Sequence, residues 1–168
     1  LNLVLPTVPN GELTENNASA WESFAVDSAA TSVTDDSSRV RAGAKSIKFV
    51  TASGIDTGLR FPAAPAAVWD LREKSYLSFW IYAINPSPVG FQGNQPAIIL
   101  KTATGVFRYQ PTVQMMVRDR WRLYHVPLQG GDHWTRTVAV GSPTLDDVFQ
   151  IELHHDTAVW RIRLDRAR

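Results

Sequence analysis

The chain has 168 residues, of which 44% are hydrophobic and 20% charged, a composition typical of one globular domain. Its 17 basic and 16 acidic side chains give a net charge of +1, which argues against a nucleic-acid-binding surface. The absence of cysteine excludes disulfides and thiolate chemistry, and no apolar run is long enough to predict membrane insertion. We therefore predict a single domain over residues 1–168.

Short apolar stretches, broken by Gly, Pro, Asn and Asp, predict many β-strands and very little helix. In the first half of the chain the predicted strands are 1–6, 19–26, 30–34, 46–51, 57–61 and 76–84. In the second half they are 97–101, 106–110, 112–118, 121–126, 150–154 and 159–165. A short helix is predicted within 63–73, one helical turn at 142–148, and a long surface loop at 85–96.

The number and close spacing of these strands predict an all-β fold, an antiparallel β-sandwich of the jelly-roll type. Alternation within 76–84 places Trp80 and Tyr82 opposite the core-facing residues. These two rings form either an exposed platform or a second small core under the 85–96 loop. In 112–118, alternation places Val113, Met115 and Val117 in the core, and Gln114 and Arg118 on a sheet surface.

Several short segments, taken in order, carry a resemblance to a known group. They are PNG at 9–11, Trp21, RVRAG at 39–43, SIKF at 46–49, LSFWIY at 77–82, Trp121, VPL at 126–128, IEL at 151–153 and IRLD at 162–165. This order resembles that of the carbohydrate-binding modules with a galactose-binding-like β-sandwich. The resemblance implies a non-catalytic, extracellular or cell-surface module within a larger protein. Such a module docks an associated enzyme or surface protein onto a polysaccharide or oligosaccharide.

Many modules of that group hold a structural calcium ion, so the resemblance makes calcium a candidate cofactor and not an expected one. In the family, the first calcium ligand is a carboxylate just after the N-terminal Asn-Gly turn, and the second is an Asp at the end of the last strand. Asp165 matches the second position, whereas Thr14 occupies the first, with Glu12 beside it. A hydroxyl is a poorer calcium ligand than a carboxylate, so Asp165 and Glu12 are the candidate calcium ligands.

Sugar recognition combines flat apolar surfaces for the ring C–H faces with planar polar groups for pairs of hydroxyls. Arginine on the candidate surface favours uronate-containing or sulfated chains. Trp134 follows a glycine-rich turn and either binds ligand or folds back over the core. Trp21, Trp121 and Trp160 are expected in the core. The candidate ligand-binding residues are Trp80, Tyr82, Arg108, Tyr109, Gln114, Arg118 and Trp134.

Two alternatives to a binding module remain open. The first is a structural or adhesion domain that contacts other proteins. The second is a lyase or hydrolase, but the chain lacks both a Gly-x-Ser-x-Gly motif and the acidic alternation of jelly-roll glucanases. We therefore predict that the chain is not an enzyme. Glu152 is expected to form a surface ion pair with Arg161 or Arg163.

Overall fold

The structure, a computed structural model, describes residues 18–25, 31–41, 43–51, 57–84, 93–155 and 160–165. For residues 25, 51, 155 and 160–165 it describes the backbone alone. A 3-10 turn at Ala18–Ala20 precedes eleven described strands. The strands are β1 (Glu22–Ala25), β2 (Thr31–Asp36), β3 (Ser46–Thr51), β4 (Thr57–Phe61), β5 (Tyr76–Tyr82), β6 (Ala97–Thr102), β7 (Gly105–Pro111), β8 (Trp121–Pro127), β9 (Trp134–Gly141), β10 (Val148–His155) and β11 (Trp160–Asp165).

These strands form two sheets whose neighbouring strands all run antiparallel. The six-stranded sheet has the order β1-β4-β10-β6-β7-β9, and the five-stranded sheet has the order β2-β3-β11-β5-β8. The predicted all-β antiparallel fold is therefore confirmed. The predicted strand at 1–6 and most of the predicted 85–96 loop lie outside the described residues.

The core lies between the sheets and follows from the period-two alternation of the strands. In β5, Leu77, Phe79 and Ile81 are buried, as predicted. Their partners in register point the same way, so Tyr124 and Val126 of β8 are buried beside them. Trp21 is also in the core, as predicted. These residues belong to a hydrophobic cluster to which both sheets contribute.

One predicted strand is wrong. Strand β7 ends at Pro111, and residues 112–117 form an irregular segment that packs over the edge of the core. The main chain of Met115 is held from both sides, since its N–H donates to Gln95 O at 3.2 Å and its carbonyl accepts from Tyr124 Oη at 2.9 Å. Val113 is 57% exposed and Met116 is buried, which reverses the predicted faces.

Both predicted helical segments are wrong as well. The stretches around Trp69 and Val148 instead run side by side: Trp69 N donates to Val148 O at 2.7 Å, and Leu71 N donates to Leu145 O at 2.6 Å. Conversely, β9 was not predicted, because its alternation of threonine with exposed valine looks like a polar loop. No described segment forms a helix that is both long enough and apolar enough to cross a membrane.

Candidate functional site

Each sheet has an outward surface, and the two surfaces differ in chemistry. We call the outward side chains of β1, β4, β10, β6, β7 and β9 the six-stranded face. We call the outward side chains of β2, β3, β11, β5 and β8 the five-stranded face. Strand register decides which residues meet on each face, because directly paired residues in antiparallel strands point to the same side.

On the six-stranded face, one residue from each strand falls into a single line across the sheet. Glu22 pairs with Arg60, Arg60 with Glu152, and Glu152 with Ile99. The line continues from Ile99 to Arg108 and from Arg108 to Thr137. We call this line the transverse row; its members are Glu22, Arg60, Glu152, Ile99, Arg108 and Thr137.

The side chains at the centre of the transverse row are the least exposed to solvent. Side-chain exposure falls from 44% at Glu22 and 31% at Arg60 to 6% at Glu152. Ile99 is buried, although it points away from the core, and Thr137 at the far end is exposed. The middle of the transverse row is therefore less exposed than its two ends.

At the centre of the transverse row, two neighbouring side chains contact Glu152. The ammonium group of Lys101 contacts Oε1 of Glu152, and Nε2 of His154 lies 2.6 Å from Oε2. Burial raises the pKa of Glu152, but the hydrogen bonds from His154 and Lys101 outweigh that effect and hold the pKa below its ordinary value. The expected pairing of Glu152 with Arg161 or Arg163 is wrong, because β11 belongs to the other sheet.

At the β1 side of the transverse row, Arg60 forms a second ion pair, with Glu22. Its Nε donates to Oε2 of Glu22 at 2.8 Å, and this hydrogen bond lowers the pKa of Glu22. The guanidinium of Arg60 also lies 5.7 Å from the ring centre of Phe24. Phe24 lies over Gly58, since a Cβ on Gly58 would come within 2.7 Å of the ring. The ring therefore adds an apolar surface beside the polar row.

The five-stranded face carries aromatic rings and arginines. Trp80 and Tyr82 of β5 point outward and are half-buried, as the alternation predicts. The guanidinium carbon of Arg41 lies 4.4 Å from the ring centre of Trp80, and that of Arg39 lies 5.0 Å from the ring centre of Tyr82. Trp121 was expected in the core but lies half-buried beside Tyr82, with ring centres 5.6 Å apart, because it pairs with Tyr82 in register.

The predicted ligand-binding residues therefore do not form one site. Trp80 and Tyr82 lie on the five-stranded face, and Arg108 lies on the six-stranded face. Tyr109 points into the core, where its hydroxyl donates to Leu128 O at 2.9 Å and burial raises its pKa to about 12. Trp134 is also buried, as the first residue of β9. The placement of these last two side chains on a binding surface is wrong, because both pack between the sheets.

Gln114 and Arg118 do not share a sheet surface, because their segment is not a strand. Oε1 of Gln114 accepts from the backbone N–H of Gln95 at 3.3 Å and from that of Met116 at 3.2 Å. Nε of Arg118 donates to Ile84 O at 2.7 Å. Both side chains therefore hold the chain between β7 and β8, and the prediction that they share one sheet face is wrong. Their role in ligand binding stays a prediction.

The calcium prediction stays a prediction. The backbone of Asp165 pairs with Trp80, but the side chain of Asp165 and all of Glu12 lie outside the described part of the chain. Among the residues whose side chains are described, no group of three or more His, Asp or Glu side chains is arranged to hold a metal ion.

Sequence reasoning missed the residues that complete both faces. On the six-stranded face these are Glu22, Arg60 and Lys101, and on the five-stranded face Arg39 and Arg41. One signal was present: Arg39 and Arg41 have the same two-residue spacing as Trp80 and Tyr82. That spacing places two arginines where they can meet two rings, but only if the segments are neighbours in space.

Comparisons with known proteins bear on the fold. No protein-family model and no curated protein matches the chain. A family 11 carbohydrate-binding module from Clostridium thermocellum, in complex with a β-1,3-1,4-mixed-linked tetrasaccharide, aligns with a TM-score of 0.63 and 13% identity over 92% of this chain and 91% of its own. The family 11 module of the cellulosomal cellulase Lic26A-Cel5E of Clostridium thermocellum aligns with a TM-score of 0.61 and 13% identity, over 92% and 89%.

An exo-β-agarase structure aligns with a TM-score of 0.60 and 17% identity, over 94% of this chain but 24% of its own. At these identities the comparisons establish the architecture and not the ligand. The chain has the β-sandwich fold of carbohydrate-binding modules, in agreement with the resemblance in its sequence.

Proposed function

We propose that this chain is a non-catalytic carbohydrate-binding module that holds a polysaccharide across its six-stranded face. The observation that carries the proposal is the transverse row, which places one side chain per strand in a single line across the sheet. Neighbouring strands lie about 4.8 Å apart, so the row extends over roughly 24 Å. That length accommodates an oligosaccharide of several units lying across the strands.

The chemistry of the row suits sugar hydroxyls, which both donate and accept hydrogen bonds. Arg60 and Arg108 present planar groups of N–H donors, and Glu22 presents acceptors. The Phe24 ring offers an apolar surface for the C–H face of a sugar ring. An ion pair already holds Arg60 and Glu22 in place, so little of their side-chain entropy is lost when a ligand binds.

The ionisation of the row supports binding without catalysis. Glycoside hydrolysis requires one carboxyl group that keeps its proton near neutral pH, which calls for a raised pKa. The pKa values of Glu22 and Glu152 are both below their ordinary values, because each carboxylate is hydrogen-bonded to cationic partners. Neither carboxyl group is therefore suited to donate a proton near neutral pH.

We further propose that the module is extracellular and works as one part of a larger protein, which it carries onto a polysaccharide. The match to 24% of the exo-β-agarase chain supports this, because the same fold is there a fraction of a larger protein. The tetrasaccharide bound by the family 11 module makes a β-1,3-1,4-mixed-linked oligosaccharide the first ligand to test.

Calorimetric titration of the purified chain with the β-1,3-1,4-mixed-linked tetrasaccharide, and with agarose-derived oligosaccharides, tests the proposal. We expect saturable binding to one of them, weakened about tenfold or more by Arg108→Ala and by Arg60→Ala. Arg120→Ala is the matched control, because it removes the same charge from an exposed site outside the row. Unchanged affinity in both row variants would place the ligand elsewhere, and no binding to either sugar would count against the proposal.

A protein-contacting role is the second candidate, and one feature favours it. Strand β9 lies at an edge of the six-stranded sheet and exposes Val138 and Val140 by 58% and 61%. Exposed apolar edge strands tend to pair with other chains. Sedimentation at several concentrations tests this role: a mass that rises with concentration and falls in Val138→Lys would favour it, and a constant monomer mass would exclude self-association.

A further inference from the structure

We propose that a cavity at one end of the sandwich is a second binding site, for one or two units of a neutral sugar. The cavity has a volume of about 460 Å³, within the range of small-molecule sites, and lies where β5 begins and β8 ends. We call it the end cavity; its lining comes from residues 72–76 and 127–132 and includes no member of the transverse row. The choice of a sugar as its ligand rests on the proposed function, whereas the cavity itself does not.

Backbone pairing fixes the two walls of the end cavity relative to each other. Tyr76 and Pro127 pair in register at the ends of β5 and β8. Beside them, Leu128 N donates to Ser75 O at 2.9 Å, which ties one wall to the other. Gly130 N donates to Pro127 O, also at 2.9 Å, and this bond closes the start of the turn that leads to β9. The walls therefore need little ordering when a ligand binds.

The turn before β9 has a defined geometry that holds Asp132 at the end cavity. Gly131 and Trp134 exchange two backbone hydrogen bonds, of 2.8 and 2.9 Å, so Asp132 and His133 form a two-residue hairpin turn. Both have a positive φ, of 48° and 72°, as a type I′ turn requires. Asp132 lines the end cavity and His133 does not. The two turn residues therefore share one backbone conformation but differ in their access to a ligand.

The lining of the end cavity offers donors, acceptors and one aromatic ring. Within the described part of the chain, the side chains of Glu73, Lys74 and Asp132 take part in no hydrogen bond and no ion pair. Two carboxylates can accept hydrogen bonds there, and the ammonium group of Lys74 can donate them. The ring of Tyr76, which is 37% exposed, offers an apolar surface for the C–H face of a sugar.

This set of groups suits a neutral sugar better than a ligand with a single charge. Arg72 also lines the end cavity, but Asp70 already holds its guanidinium, since Nη2 donates to Oδ2 of Asp70 at 2.6 Å. The ionic groups that remain for a ligand, Lys74 with the two carboxylates, include both signs. Sugar hydroxyls match them, because each hydroxyl both donates and accepts a hydrogen bond.

Nuclear magnetic resonance titration of the ¹⁵N-labelled chain with two neutral disaccharides, cellobiose and one derived from agarose, tests the inference. With one of them we expect the largest shift changes at the backbone amides of Ser75, Gln129, Gly130 and Asp132. Asp132→Gly should weaken this binding about tenfold, because it removes a charged acceptor while glycine suits the positive φ. His133→Gly is the matched control, because it relaxes the same turn outside the cavity and should leave the affinity unchanged. Thermal denaturation checks that both variants are folded.

Three results would overturn the inference. The first is that neither disaccharide changes the shifts of the end cavity; tetrasaccharide binding to the transverse row would then leave the proposed function standing. The second is an equal loss of affinity in Asp132→Gly and His133→Gly, because flexibility of the turn would then explain both. The third is a diglucosamine or a digalacturonate that binds more than about tenfold tighter than both neutral disaccharides, because charge would then select the ligand.

Discussion

The two faces of the sandwich are built from the same alternation but hold their charges differently. On the six-stranded face, Glu152 is nearly inaccessible and is tied to Lys101 and His154. On the five-stranded face, Arg39 and Arg41 are exposed and lie on aromatic rings. A buried charge is tolerated only with partners, which Lys101 and His154 supply. The charge on the first face is therefore buried and paired, whereas the guanidiniums on the second face lie on rings and reach solvent.

The difference shows that register, more than composition, determines what a sheet surface can bind. Glu22, Arg60 and Glu152 lie on strands far apart in sequence and become neighbours only through the order β1-β4-β10. Trp80 and Tyr82 are outward by local alternation alone, but their arginines arrive from the segment after β2. On each face, alternation along a strand turns one residue of a contact outward, and the order of the strands and segments in space brings the other residue beside it.

The largest expected loss of stability comes from a substitution in the interior, between the two faces. Trp134→Ala should lower the free energy of unfolding by about 3 to 5 kcal/mol, because it empties a large buried volume. Chemical denaturation measures this loss, and Trp134→Phe, which keeps a buried ring, should lose less. A loss under about 1 kcal/mol would mean that Trp134 lies on a surface after all.

The next largest loss of stability is expected on the six-stranded face. Glu152→Gln should lower the free energy of unfolding by about 2 kcal/mol at pH 7, because it removes the charge from two hydrogen bonds of a buried carboxylate. Chemical denaturation of both proteins measures the difference. A loss close to zero would show that the ion pair with Lys101 makes no net contribution.

The pH dependence of that difference has a definite sign. The pKa of Glu152 in the folded chain lies below its ordinary value of 4.5, so its carboxylate stabilises the fold fully above pH 4.5. This stabilisation is lost as the pH falls through the folded pKa. The gap between wild type and Glu152→Gln should therefore narrow as the pH is lowered below 4.5, and a gap that widens there would contradict the assignment. Glu22 is present in both proteins, so its titration contributes equally to both free energies of unfolding and does not affect their difference.

A smaller effect tests the core position of Tyr109. Tyr109→Phe should cost about 1 kcal/mol of stability, because the hydrogen bond to Leu128 O is lost while that oxygen keeps its bond from Arg136. Sugar affinity, measured by calorimetry, should stay at the wild-type value. A large loss of affinity with little loss of stability would return Tyr109 to the binding site.

The smallest effect distinguishes the five-stranded face. Arg41→Ala should change the free energy of unfolding by less than about 1 kcal/mol, because its stacking on Trp80 is exposed to solvent. Thermal denaturation measures this change, and a loss well above about 1 kcal/mol would show that Arg41 contributes more than exposed stacking on a ring.

Local chemistry predicted the strands and the core better than it predicted the site. The β-branched and aromatic run around Phe79 defines a strand whatever surrounds it, and its inward residues were predicted correctly. Tyr109 and Trp134 were misplaced because an aromatic ring with a polar atom suits a binding surface and a satisfied core position equally well. The segment around Met115 alternates like a strand, yet it bonds to Gln95 and Tyr124 instead of a sheet neighbour.

The partners of Glu152 also show that local chemistry does not predict which strands are neighbours. An ion pair was predicted correctly as the kind of contact, but its partners are Lys101 and His154 because β10 lies beside β6 and not beside β11. Sheet order depends on contacts between distant segments, which a single sequence does not reveal. The extent of the domain and the calcium ligands Asp165 and Glu12 remain predictions.

The most direct test of the central claim is nuclear magnetic resonance titration of the ¹⁵N-labelled chain with the β-1,3-1,4-mixed-linked tetrasaccharide. We predict that the largest shift changes fall on the backbone amides of β4, β10, β6 and β7 and on the guanidinium groups of Arg60 and Arg108. The signals of β5 and β8 should remain almost unchanged. Shift changes concentrated at Trp80, Tyr82 and Trp121, with the transverse row unaffected, would contradict the assignment of neutral sugar to the six-stranded face.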